Sequence, residues 1–405
     1  MNREISKVYK VAIIGGGMGG LVSSILLSER FGGDGVCLIE KLPRLGKKIL
    51  STGNGQCNIS NIDLSCGHYH SNNRDFYVPI ITKYPYKSLE SFFKNLGIPM
   101  IEEDGKIYPL SKQANCILDG LRFKVESLKT NVFLNTVAIG IIKENFYKIK
   151  CENNVEIYAE NVILAVGGKS QRHLGTDGSS YKLATSLNHS LTNLYPSLVQ
   201  LKVEQSKIKG LKGLKQKANV KAVVGGKVVS EKLGEVLFTD YGLSGNTIFY
   251  LSSYLVDKDG ELLIDFCVDL SHDEMESLLR AKCENCKYLT YENLLSGFMN
   301  SKIATACLRN YGYDVTKNIN KKDIKGVVKL VKNYKLKVIG NLGFDNSQVT
   351  KGGINTLEFD CETLESKINK GFYAIGEVLD VDGDCGGYNL QWAFSSACAV
   401  AYSIK

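Results

Sequence analysis

The feature that most constrains this chain is the stretch from Val11 to Glu40, where strand, turn, helix, strand and acid follow one another without a break. Val8 and Val11 to Ile14 form a short apolar run with the β-branching of a buried parallel strand. It leads into Gly15-Gly16-Gly17-Met18-Gly19-Gly20, which contains a Gly-x-Gly-x-x-Gly spacing. A helical pattern continues to about Arg30, with Leu21, Ile25 and Leu26 on one side, and a second apolar run, Val36 to Ile39, ends in Glu40. In this context the glycines take separate tasks: Gly15 allows a tight turn, Gly17 lets backbone approach a pyrophosphate, and Gly20 lets helix and strand pack closely. The helix start, with Met18 and Gly19, offers unpaired N–H groups and a positive dipole end to phosphates. Glu40 stands about 20 residues beyond the last glycine, where a carboxylate accepts from ribose hydroxyls. The pattern predicts a βαβ unit that binds a dinucleotide.

A chain of 405 residues is too long for a single core and fits two or three domains. The start, MNREISKVYK, is polar and runs directly into the first strand, so no signal peptide is expected. Apolar stretches are broken by glycine or charge, which argues against a membrane span. The 12 cysteines are scattered through an α/β pattern, as reduced thiols of a cytoplasmic protein would be. Cys283 and Cys286 form a lone C-x-x-C with neither a second pair nor a histidine cluster, and no metal site is expected. The formal charge of +8 is concentrated in Lys202 to Lys221 and Lys317 to Lys337. Aromatic residues do not interleave with these lysines as stacking platforms, so they read as solvated faces rather than a nucleic-acid surface.

Residues 51 to 61 fit neither a helix nor a strand period; small polar residues and glycines predict a loop that surrounds a polar ligand. Residues 86 to 97 read as an amphipathic helix closed by Gly97, and Asp104-Gly105 as a hairpin turn. A helix is expected over 114 to 129, then a small antiparallel meander from Val132 to Tyr158. The run from Asn161 returns to the sheet and ends in Gly167-Gly168, a second place where backbone can approach a ligand. Residues 191 to 345 read as an inserted domain, β-rich over 191 to 270 and mostly helical over 271 to 333, with Gly225-Gly226 as a hairpin turn. The first domain, 1 to 190, then resumes at 346 to 405. Its closing segment has an apolar strand ending in Gly376-Glu377, the pair Gly386-Gly387, and a helix from about Asn389. Leu390, Ala393, Phe394, Ala397 and Ala401 are expected on the inner face of that helix.

Taken together, these segments resemble the bacterial FAD-dependent oxidoreductases of the bile-acid-reductase-like or aminoacetone-oxidase-like type, within the two-dinucleotide-binding-domain flavoproteins. The resemblance covers nearly the whole chain. It rests on the Gly15 to Gly20 turn with Glu40, on Gly46-Lys47-Lys48 through Thr52-Gly53-Asn54-Gly55-Gln56-Cys57-Asn58, and on Thr350-Lys351-Gly352-Gly353. Its longest motif runs from Gly376-Glu377-Val378-Leu379-Asp380 to Gly386-Gly387-Tyr388-Asn389-Leu390-Gln391-Trp392-Ala393. The resemblance implies an α/β fold: a Rossmann-like, glutathione-reductase-like FAD-binding domain with an inserted β-rich domain and a helical subdomain. It implies bound FAD. Gly15, Gly17 and Gly20 would face the pyrophosphate, Glu40 the ribose, and the Val137 backbone the adenine. Gly376 and Glu377 would follow the ribityl-phosphate part, while Gly386, Gly387 and the Thr52 to Asn58 loop would meet the flavin ring. Lys41, Lys47, Gly167, Gly168, Tyr388, Asn389 and Leu390 complete the implied cofactor set. Gln56 stands where the family usually carries arginine, and Asp240 where it often has histidine.

The leading expectation is an FAD-dependent reductase. A nicotinamide, NAD(P)H, would visit transiently as co-substrate, and hydride would pass to an activated C=C bond in a small, steroid-like molecule. The alternatives are an oxidase of a small amine using oxygen, and a flavin-bearing nucleic-acid binder or modifier. The expected partner is a small-molecule substrate, with no membrane and no nucleic acid; oligomeric state is not assigned. The substrate pocket is expected between flavin and insert, with Tyr241, Ser244 and Tyr108 as its polar candidates.

Overall fold

The computed structural model describes residues 7–286 and 288–405, so the expectation about a leader at residues 1–6 falls outside the described residues. Internal packing divides the chain into two units, Met1–Tyr195 with Gln348–Lys405, and Pro196–Ser347.

The first unit is built on a sheet whose centre is the strand Val8–Ile14. Val11, Ala12 and Ile13 are fully buried, as a strand covered on both faces requires. Val36–Ile39 pairs parallel on one side and Glu156–Leu164 parallel on the other, so that Ile14 lies level with both Ile39 and Leu164. Asn131–Phe133 extends the parallel part beyond Val36–Ile39. This differs from the expected meander, because the first of its strands joins the parallel sheet. Only Ala138–Lys143, Tyr147–Cys151 and the start of Glu156–Leu164 form the antiparallel ribbon. The two apolar runs either side of Asn161 are one strand. On a single edge it pairs antiparallel with 147–150 through residues 156–159, then parallel with Phe372–Ala374 through Val162–Leu164.

The first helix, Met18–Phe31, and the terminal helix, Tyr388–Ser403, cross in contact at Gly19 and Ala393. The terminal helix is buried on nearly every side, including Trp392, Ser395 and Ser396, while Leu390 and Ala393 are only half-buried. A one-sided reading missed this because small and hydroxyl side chains at Ser395, Ser396 and Ala399 fill interior positions. Residues 47–55 are not a plain loop: Lys47–Gly55 makes short 3-10 turns broken at Thr52, Gly53 and Asn54. The helix Tyr86–Asn95 and the hairpin Met100–Glu103 with Lys106–Pro109 stand as expected, with Asp104 and Gly105 both at positive φ.

In the second unit six strands close a barrel, in the order Leu201–Val203, Gly242–Ser244, Lys227–Phe238, Lys215–Val224, Gly260–Asp265, Tyr334–Asn341. Val220, Phe238, Leu262 and Leu336 fill it. Gly225 and Gly226 turn the long hairpin with φ of 56° and 77°. The last barrel strand follows the helices His272–Asn285, Ser301–Asn310 and Ile324–Lys332, so the β-rich part does not end before the helical part. Most lysines of 202–221 are paired with acids: Lys207 with Glu204, Lys212 with Asp240, Lys215 with Glu235, Lys217 with Asp269 and Lys221 with Glu231. No helix of the described residues is long and apolar enough to cross a membrane.

Two buried polar groups generate predictions. Lys332, 7% exposed, donates to Asp265 Oδ2 at 2.8 Å, to Cys267 O at 2.8 Å and to Leu270 O at 2.7 Å. Lys332→Met removes this donor from all three acceptors, leaving Cys267 O only the Leu270 N–H at 3.3 Å, and is expected to cost about 3–5 kcal/mol, measured by urea unfolding. In the first unit, buried His189 joins Glu358 Oε2 (2.8 Å) through Nδ1 and Ser366 Oγ (3.0 Å) through Nε2. Burial lowers its pKa, and Glu358 offsets part of that. The unfolded chain therefore takes up this proton more readily than the native one. The resulting stability is present above about pH 6.5, the ordinary histidine value, and is lost as pH falls below it. The melting temperature of wild type should fall more steeply on acidification than that of His189→Gln.

Candidate functional site

Three glycine turns leave the carboxyl edge of one parallel sheet: Gly15 after Val8–Ile14, Gly167 after Glu156–Leu164, and Gly376 after Phe372–Ala374. In open α/β sheets this edge is where ligands bind.

Gly15 has φ of 107° and its N–H donates to Ile39 O at 2.8 Å; a Cβ there would lie 2.4 Å from Ala165 O. A Cβ on Gly20 would lie 1.9 Å from Gly15 O. Both glycines are demanded by the protein's own packing. Gly17 is different: as N-cap of the first helix it is extended, and a Cβ there meets nothing within 4 Å. Open space therefore stands at a helix N-terminus whose first turn carries no acid, which leaves the positive dipole end available to an anion. Met18 is buried, and Gly19 fits closely against Ile375 and Ala393, so both serve packing behind the turn.

Glu40 is 9% exposed. Its Oε2 accepts from Gly16 N–H at 2.7 Å and its Oε1 from Leu42 N–H at 2.8 Å. The carboxylate thus ties the glycine turn to the second strand's end, and each oxygen retains a lone pair. Lys41 pairs with Asp177 at 3.3 Å. Burial would raise that acid, but the Ser179 hydroxyl and N–H together with Lys41 hold it at about 2. Lys47 donates to His173 O at 2.7 Å, and Val137 O accepts from Glu152 N–H at 2.9 Å.

The second cradle is the 52–61 loop against the start of the terminal helix. Gly53, Asn54, Gly55 and Cys57 all have positive φ, and Thr52 Oγ1 donates to Ile49 O at 2.6 Å. Burial pushes the Cys57 thiol up to about 11, so it packs rather than reacts. In the amide orientation that satisfies its neighbours, Asn58 donates to Ser60 O at 2.9 Å and accepts from Gly387 N–H at 3.3 Å, while Asn61 Nδ2 donates to Gly386 O at 3.1 Å. A Cβ on Gly387 would lie 2.4 Å from Ser60 O. The neighbour that requires glycine at 387 is therefore this loop. Tyr388 stacks on His68 at 4.5 Å, Asn389 is bonded to both N–H and O of Gly383, and Leu390 is half-buried.

At the third turn Gly376 donates to Ser396 Oγ and accepts from Trp392 Nε1, each at 3.1 Å. Glu377 pairs with Lys48 at 2.7 Å and accepts from Thr350 N–H at 2.9 Å. A Cβ on Gly168 would lie 2.5 Å from Glu377 Oε1 and from Thr350 Oγ1, and one on Gly167 3.0 Å from Thr176. Glu377 thus fastens the third turn to the loop that carries Lys48.

Of the polar candidates, Tyr108 lies half-buried on the Lys106–Pro109 strand, its phenol raised by burial and by Glu103. Tyr241 and Ser244 belong to the barrel unit, where Ser244 is buried opposite Leu237. Asp240 is an exposed ion pair with Lys212, which lowers its pKa, and Gln56 is exposed. No group of His, Cys, Asp and Glu among the described residues is arranged to hold a metal ion. Sequence reasoning missed a polar cluster of His68, His70 and Asp384 beside Asp382. Its signal was present as His-x-His and as acids at alternate positions 380, 382 and 384, the spacing of one strand face.

Over residues 9–403 the chain matches the family described as HI0933-like protein Rossmann domain, and it belongs to that family. It is 33% identical over 400 residues to a 3-dehydro-bile acid delta(4,6)-reductase of Clostridium scindens, covering 96% of this chain and 97% of the relative. It is 28% identical over 403 residues to a ribosomal RNA dihydrouridine synthase of Escherichia coli, covering 98% of each. Quinol fumarate reductase from Escherichia coli shares the fold, with a TM-score of 0.52 and 15% identity over 98% of this chain and 70% of that one. The chain is an FAD-dependent oxidoreductase, as its motifs led us to expect. The open cradle at Gly17 and the acid-free helix start fit the cofactor's pyrophosphate.

The glycines should separate by experiment. Gly17→Val fills open space and is expected to keep the native circular dichroism and melting behaviour while losing FAD. Gly20→Ala and Gly387→Val collide with backbone and are expected to lower the melting temperature even of the FAD-free protein.

Proposed function

We propose that this member of the HI0933-like family reduces a C=C bond conjugated to a carbonyl in a small, steroid-like substrate, with NAD(P)H as the transient electron donor. The observation that carries this reading is the end-to-end likeness to a bile-acid reductase, at 33% identity with 97% of that protein covered. When bound, FAD supplies the hydride chemistry, and the protein supplies placement and electrostatics. Gly17 and the helix start would hold the pyrophosphate, and the spare lone pairs of Glu40 would accept from ribose. The turn at Gly386 would approach the ring. Gly225-Gly226 is a hairpin turn rather than a second dinucleotide fingerprint, which favours a nicotinamide that visits and leaves. Tyr108, whose phenol burial keeps protonated at neutral pH, suits a hydrogen-bond donor to a substrate carbonyl; Tyr241 and Ser244 remain candidates for substrate contact.

A second reading keeps the chemistry and changes the substrate. Uracil also carries a C=C bond conjugated to a carbonyl, and relatives from Haemophilus influenzae and Escherichia coli are named ribosomal RNA dihydrouridine synthases, at 27% and 28% identity. Lys322, Lys325 and Lys329, exposed along the helix Ile324–Lys332 and the turn before it, make no ion pair among the described residues and could meet phosphates. The acid-paired lysines of 202–221 speak against a broad RNA surface.

Anaerobic NAD(P)H should bleach the flavin band, and a 3-oxo-Δ4 steroid should restore it with formation of the saturated ketone. A flavin that NAD(P)H does not reduce would remove the nicotinamide part of the proposal. Reoxidation by uridine-containing ribosomal RNA but not by steroid enones would select the second reading.

A further inference from the structure

The turn that leads into the terminal helix is fastened by one short segment, residues 61–70. Asn61 Nδ2 donates to Gly386 O at 3.1 Å, and Tyr69 Oη to Tyr388 O at 3.3 Å. Asp384 N–H donates to His68 O at 2.9 Å, and Tyr69–His70 pairs antiparallel with Asp382–Gly383. The His68 ring lies on Tyr388, with centroids 4.5 Å apart and planes 17° from parallel.

The remaining fastening is ionisable. Asp384, 1% exposed, meets His68 Nδ1 at 3.0 Å through one oxygen and His70 Nε2 at 2.8 Å through the other. His68 Nε2 meets Asp63 Oδ2 at 3.2 Å, so this ring lies between two carboxylates. The Ser65 N–H and hydroxyl, with His68, hold Asp63 below the usual carboxylate range. A carboxylate only accepts, and a neutral imidazole carries one N–H, so an imidazolium alone donates to both acids. Charged, the line of Asp63, His68, Asp384 and His70 has a donor at every link; neutral, His68 turns a lone pair toward one of its acids. The two imidazoles are 26% and 23% exposed, so solvent reaches both.

Asp63 and Asp384 face His68, while Asp382, Asp384 and Lys351 face His70. Burial opposes the charge on His70, but the Asp384 hydrogen bond and the negative charges of Asp382 and Asp384 raise its pKa against Lys351. Asp382, pushed up to about 7 by burial, gains charge over the same range and supports that cation.

We propose that Asp384 is a positioning residue: through His68 and His70 it clasps segment 61–70 onto the Gly386-to-Tyr388 turn, closed while the histidines are charged and loosened when they are neutral. Its consequence for the cofactor rests on the reading above, in which that turn approaches the flavin ring. The closed clasp binds protons more tightly than the open one. Its contribution is therefore complete below about pH 6.5, the ordinary histidine value, and is lost as pH rises through the raised His70 value.

The test is hydrogen exchange on the full-length FAD-loaded protein, reading residues 384–390 as a ratio to residues 18–31 at each pH. In wild type the relative protection of 384–390 should fall between about pH 6 and about pH 9, and FAD release should quicken about tenfold, the loss of one charge-assisted bond. Asp384→Asn should show low protection and fast FAD release at both pH values. His70→Gln, at a partly exposed position, should keep the fold and lose most of the pH response. Wild-type protection that ignores pH, or a pH response that survives in Asp384→Asn, overturns the clasp. Protection that responds while FAD release does not would instead defeat the placement of the flavin at this turn and leave the clasp standing.

Discussion

The first unit depends on how closely two pieces of backbone meet at Gly15 and Gly20. The carbonyl of Gly15 lies where a Cβ of residue 20 would be, at 1.9 Å, so the first helix can rise directly from the end of the strand only if residue 20 has no side chain. That approach aims the helix N-terminus at the sheet's carboxyl edge. Glu40 then holds the turn from the far side, with Gly16 and Leu42 both donating to its carboxylate. The space in front of Gly17 follows from this arrangement.

The glycine motifs have two kinds of cause that look alike in the sequence. At Gly17 the missing side chain leaves room for something that is not protein. At Gly15, Gly20, Gly168 and Gly387 it leaves room for Ala165, Gly15, Glu377 with Thr350, and Ser60. A resemblance assigns all of them to a cofactor, because residues that shape a cradle and residues that touch its contents occur in the same motif.

Elements with local causes were legible. The strand Val8–Ile14, the helix Met18–Phe31 and the hairpin turns at Asp104-Gly105 and Gly225-Gly226 follow from periodicity and turn chemistry. What was lost depends on distant partners. Asn131–Phe133 looks like its antiparallel neighbours until Val36–Ile39 is present to pair with it. The terminal helix looks one-sided because serine and alanine do not announce burial. The histidine–aspartate line was hidden because its members come from residues 63–70 and 384, brought together only by a two-residue ladder. Among the candidate residues, the tie between Glu377 and Lys48 also joins segments far apart in sequence.

The strand Glu156–Leu164 has one edge shared by two partners made at different times. Its first half pairs with 147–150, just upstream, and its second half with Phe372–Ala374, made after every residue of the barrel unit. During synthesis the groove beside Val162–Leu164 therefore stays unfilled while the ribosome completes Pro196–Ser347. An apolar edge open for that interval is a site for wrong pairing. The length of the insert thus sets how long the nascent chain is vulnerable, and a chaperone that shields sheet edges has its natural window there.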